Sequence, residues 1–171
     1  MTCRHRVYSY GYLLIAAEEA FERAKEGRQP EFIESLNTVL HCALALEAFL
    51  NHIGAHSMPH WAPLKRKLSP IEKLDVIAAH HGFSIKWDRA PYQSFADAMT
   101  FRNLIVHAET ETVEVLCSTK SSLSPLAKWQ SYCTLSKASR ILCDTLAIVK
   151  ELPLKTGVEA IPSFLLAEAV E

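Results

Sequence analysis

Arg102, Asn103 and His107 are the residues whose types and spacing could do chemistry together. On a helix Thr100, Asn103 and His107 share one strip at spacings of three and four, while Phe101, Ile105 and Ala108 form an apolar strip. Arg102 stands about 100° round from Asn103, on the neighbouring edge. Arginine is a permanent, planar cation that grips phosphate with two prongs. Histidine takes and returns a proton near neutral pH. Together they suffice for metal-free attack of a ribose 2′-hydroxyl on its neighbouring phosphate. The spacing alone says little: with eight Arg and eight His in 171 residues, such a pair is expected about once by chance.

Other groups compete for attention. Lys65-Arg66-Lys67 offers three consecutive cations for an RNA backbone, with Trp61 nearby to stack on a base. The same run is equally an ordinary solvated loop, since three cations give modest phosphate affinity. His52, His56 and His60 fall four apart, but Gly54 and Pro59 interrupt them and no Asp, Glu or Cys joins them, so a solvated helix end is expected rather than a metal site. His80-His81 suits a helix C-terminus, and His41 suits a core or interface position.

These residues need a scaffold, and the periodicity is helical almost throughout. A first helix spans Val7 to Lys25 and stops at Gly27. A second begins after Pro30 and carries Phe32, Leu36, Val39, Leu40, Ala43, Leu46, Leu50 and Ile53, with Gly54 at its end. Ile33, Leu44 and Phe49 on its other side make it apolar nearly all round, which places it at the centre of a bundle and leaves surface for a second copy to cover. Met58 to Lys67 reads as a loop. Ser69-Pro70-Ile71-Glu72 opens a third helix as a capping box, running to about His80 and stopping at Gly82.

Phe83 to Trp87 alternates briefly. A fourth helix runs from Tyr92 to about His107, Thr110 to Cys117 alternates weakly, and Ser118 to Pro125 is a polar loop. A fifth helix covers Leu126 to Leu152 until Pro153 ends it. The fold class is therefore all-α: one bundle of four or five helices over residues 1–157, then a tail, 158–171, that can form a short amphipathic helix through Phe164 and Leu165.

Composition bounds the function. Hydrophobic residues make up 49% and charged residues 22%, enough for a real core. A formal charge of −1 argues against a chain that coats nucleic acid over its whole surface, though a local basic patch remains allowed. The five glycines include no pair close enough for a phosphate-cradling loop, which excludes Rossmann and P-loop chemistry. Inside the strongly apolar region the longest run without a charged residue, Ser35 to Leu46, is too short to cross a bilayer. Five cysteines without a C-x-x-C and no apolar leader point to a cytoplasmic chain with reduced thiols.

The segment Ala45-Leu46-Glu47-Ala48-Phe49-Leu50-Asn51, the helix start Ser69-Pro70-Ile71-Glu72-Lys73-Leu74, and above all Arg102-Asn103-Leu104-Ile105-Val106-His107 resemble the HEPN superfamily. Its signature is an Arg, four to six residues, then a His, often with a polar residue directly after the Arg. Arg102 and His107 match with four intervening residues and Asn103 fills the polar slot. The resemblance covers roughly Leu36 to His107, and the flanking helices match only in type.

The resemblance implies a metal-independent endoribonuclease without a cofactor, of the kind found among toxins, in antiviral defence and in RNA processing. It also implies a homodimer whose two signature motifs meet in one cleft, the most positive surface of a nearly neutral molecule. By analogy His107 would be general base or acid, Arg102 would stabilise charge on the phosphate, and Asn103 would orient one of them or the substrate. Thr100 and Glu47 would stand behind them, although Glu47 could equally be exposed or lie at a dimer interface. Products would carry 2′,3′-cyclic phosphate and 5′-hydroxyl ends. The alternative is a HEPN-type binding or scaffold module without catalysis, pairing with an antitoxin-like or defence partner. A plain helical dimer without a ligand is the third reading.

Overall fold

The computed structural model describes residues 4–27, 30–110, 112, 127–160 and 167–170. A short strand, β1 (Arg4–Val7), leads into α1 (Ser9–Glu26), which ends at Gly27 with φ 65°, a left-handed turn that glycine adopts without steric cost. Then come α2 (Glu31–Ser57), the single turn α3 (Trp61–Leu64), α4 (Pro70–His80) and α5 (Tyr92–Val106). A 3₁₀ turn (Lys128–Tyr132) precedes α6 (Leu135–Thr156), and β2 (Ala167–Val170) runs antiparallel to β1, Val7 opposite Ala167. The architecture is an all-α bundle with a two-stranded ribbon joining the two ends.

α2 is the hub. Val39, Ala45, Leu46, Phe49, Leu50 and Ile53 are buried, and α1, α4, α5 and α6 all pack against it. Each large apolar side chain so enclosed contributes roughly 1.5–3 kcal/mol. By length and composition α2 could cross a bilayer, yet here it forms the core of the bundle. The chain's own helices cover part of its apolar surface, and Leu36, Leu40 and Leu44 stay half-buried. Among α2's large apolar side chains only Ile33 remains exposed.

Three boundaries differ from those read in the sequence. Gly54 does not end α2, which continues one turn to Ser57; it is a buried glycine against which the Trp61 ring packs, and a Cβ there would lie 2.3 Å from the indole. The last long helix begins at Leu135 rather than Leu126, because Thr134 caps it by accepting from the Lys137 N–H at 3.2 Å. It also runs past Pro153 to Thr156 and ends at Gly157, φ 68°. Ala167–Val170 is extended, its backbone paired with β1, rather than part of a tail helix. Phe83–Trp87 forms no strand. The weak alternation from Thr110, the polar loop to Pro125 and the tail around Phe164 and Leu165 lie almost wholly outside the described residues.

Candidate functional site

The capping box at α4 is present in full. The Glu72 N–H donates to Ser69 Oγ at 3.3 Å, and the Ser69 N–H donates to Glu72 Oε2 at 2.8 Å. Hydrogen bonding from Ser69 holds the Glu72 carboxyl below the usual carboxylate range. This fixed start aims the buried stripe Pro70, Lys73, Leu74, Ile77 and Ala78 at the core. One member of that stripe is a cation. Lys73 is 1% exposed, and its Nζ donates to Glu47 Oε1 on α2 at 2.8 Å.

Glu47 has a second cationic partner. Arg102, on α5, donates from Nη2 to Glu47 Oε2 at 3.2 Å and from Nη1 to Asn103 Oδ1 at 2.9 Å. One carboxylate thus bridges a buried lysine and a partly exposed arginine, and three helices meet at that point. Two cations against one anion leave the cluster with one net positive charge. Two N–H donors of the guanidinium are engaged here, and a guanidinium carries more than two. Glu47 is partly buried and in contact with Arg102.

Asn103 connects this cluster to an open groove of about 500 Å³, lined by Thr100, Asn103, Leu104, His107, Ala108 and Glu109. α5 ends at Val106, and His107 follows as its C-cap, with its N–H bonded to Asn103 O at 3.1 Å. Thr100, Asn103 and His107 therefore share the strip that helical spacing predicted. Phe101 is fully buried and Ile105 partly so, as expected of the other strip. Ala108, expected to face the core with them, is exposed and lines the groove because the helix has already ended. Among the described residues no Lys or Arg lines the groove, and the acidic Glu109 does. Arg102 reaches its edge through Asn103.

The remaining candidates separate. Lys65, Arg66 and Lys67 are exposed on the turn between α3 and α4 and do not line the groove. Trp61, expected to stack on a base, is 3% exposed and seated on Gly54, so it has no face to offer RNA. His52 and His56 lie together on the last turns of α2 with ring centroids 4.3 Å apart. With Tyr8 and His81 they line a second cavity of about 370 Å³. His60 stands beyond the helix at φ 65°. Among the described residues no three His, Cys, Asp or Glu side chains are grouped to hold a metal ion.

Lys73 is the member of the site that sequence reasoning missed. The signal was available: a lysine occupying a core position of an amphipathic helix needs a carboxylate, and Glu47 is the one acid of α2 beyond its first turn. Compared with known proteins, the chain matches no family model, no curated protein and no solved structure.

Proposed function

We propose that the chain is a metal-independent endoribonuclease of HEPN type, acting in the cytoplasm as a homodimer. The observation that carries this reading is the anchoring of Arg102 by Glu47, with Asn103 linking it to the groove that His107 lines. In this reaction the ribose 2′-oxygen bonds to phosphorus and the bond from phosphorus to the 5′-oxygen breaks. One imidazole removes the 2′-hydroxyl proton and another delivers a proton to the departing 5′-oxygen. Arg102 meets the charge that grows on the phosphate oxygens.

Five helical steps from Arg102 to His107 turn about 140°, so the two side chains of one chain leave α5 in different directions. A twofold partner supplies what one chain lacks, because it presents the same patch in the opposite sense. The exposed Val106, beside His107, gives such a contact an apolar residue. Mixing Arg102→Ala and His107→Ala subunits tests the arrangement: each variant alone is inactive, and exchange restores part of the activity if one turnover draws on both chains. No recovery after verified exchange contradicts the shared cleft.

The second reading, a HEPN-type scaffold that pairs with an antitoxin-like or defence partner, is favoured by one observation. Among the described residues the groove is lined by the acidic Glu109 and by no lysine or arginine. A chain that binds a partner through this groove but cleaves no RNA would establish it.

A further inference from the structure

Of the charged side chains among the described residues, Lys73 is the most deeply buried. Removing an ammonium from water is expensive, and replacing a whole buried ion pair by well-packed apolar residues is often neutral or stabilising. Packing α4 onto α2 therefore gives no reason for a lysine. Its contact does. A carboxylate with both oxygens available grips a guanidinium with two parallel hydrogen bonds. Glu47 grips Arg102 through one oxygen only, since Oε1 is occupied by Lys73 Nζ at 2.8 Å while Oε2 meets Nη2 at 3.2 Å. The Arg102 Nη1 is left to Asn103, on the groove side.

We propose that Lys73 is a positioning residue: by holding Glu47 Oε1 it prevents Glu47 from closing on Arg102 with both oxygens, and keeps the guanidinium available to an RNA phosphate. It also sets the charge. Lys73, Glu47 and Arg102 together carry one positive charge, whereas Glu47 and Arg102 alone would cancel and attract no phosphate. This inference rests on the ribonuclease reading, because it assigns the phosphodiester of RNA to Arg102.

The test uses the full chain and two readouts. The first is the affinity for a 2′-O-methyl RNA strand, which cannot react; the second is cleavage of the matching all-ribose strand. Lys73→Met keeps the volume and removes the charge, and Lys73→Met/Glu47→Gln removes the carboxylate as well. Lys73→Met leaves Glu47 paired with Arg102 and is expected to stay folded with a lowered Tm, to bind the unreactive strand about tenfold more weakly, and to lose cleavage at least in proportion. The double variant should recover binding to within about threefold of wild type, because the amide oxygen introduced by Glu47→Gln can still accept from Arg102 Nη2 without neutralising it. A merely structural lysine predicts no such rescue.

Lys73→Met binding and cleaving like wild type overturns the inference and leaves the ribonuclease reading standing. A folded double variant that still binds poorly also overturns it. If Lys73→Met fails to fold, a folded double variant with near wild-type binding supports the inference. Wild type that binds the unreactive strand without cutting the other refutes the nuclease, while Lys73 is still judged by binding. Wild type that does neither overturns both.

Discussion

The Arg102 guanidinium meets the Glu47 carboxylate through a single pair of atoms, Nη2 and Oε2, 3.2 Å apart, across 55 residues of chain. The contact fixes an arginine near the end of α5 to the middle of the most buried helix. It gives the exposed end of α5 a rigid cation without enclosing it, since the Arg102 side chain keeps 28% of its surface accessible.

Replacing Arg102 by lysine keeps the charge and loses the fork. An ammonium is a compact point charge and cannot serve Glu47, Asn103 and a phosphate in three fixed directions. Arg102→Lys is expected to lower kcat/KM for RNA about a hundredfold or more while shifting Tm by only about 2 °C, as melting and steady-state cleavage assays would show. Activity within about threefold of wild type would mean that charge alone is used.

Gly54→Ala should destabilise the bundle by about 1–3 kcal/mol, because the added methyl would sit 2.3 Å from the Trp61 ring in a filled core. For a chain of this size that is roughly 2–4 °C of Tm per kcal/mol. Chemical denaturation measures it, and Trp61→Leu on the same background should recover part of the loss.

Ser69→Ala removes the acceptor for the Glu72 N–H and is expected to cost about 1 kcal/mol. The same cap sets the angle at which Lys73 enters the core, so activity should fall with it. Ser69→Asp, which restores an acceptor, should return both stability and cleavage.

Stability should decline below neutral pH through His81. Burial, aided by the neighbouring His80, holds its imidazole below the ordinary value of 6.5. Between the folded and unfolded values the unfolded chain binds the extra proton, so stability rises with pH in that window. The contribution is complete above 6.5 and falls away as pH drops below it. His81→Asn should therefore lose less Tm than wild type between about pH 7.5 and about pH 5. Equal losses in the two proteins would show that His81 is not the group responsible.

Where local chemistry decides structure, the sequence was readable. Ser69, Pro70 and Glu72 specify the start of α4 within four residues, and the strip Thr100, Asn103, His107 follows from helical geometry alone. Where a distant contact decides, it was not. Gly54 looks like a helix stop until Trp61 returns to pack on it, and Trp61 looks like a stacking surface for the same reason. The break at Cys133 and Thr134 hid inside a continuous apolar rhythm, since a capping threonine leaves no mark on hydrophobic spacing. Glu47, Lys73 and Arg102 stand on three helices, and only the way those helices cross brings their charges together.

The ends of cleaved RNA decide whether Arg102 and His107 carry out metal-free transesterification. Purified wild type and His107→Ala are incubated with single-stranded and structured RNA in EDTA, and the new termini are identified by mass spectrometry. Wild type should leave 2′,3′-cyclic phosphate and 5′-hydroxyl ends, and the folded variant should not cleave. Cleavage that disappears in EDTA, leaves 3′-hydroxyl and 5′-phosphate ends, or persists in His107→Ala would contradict it.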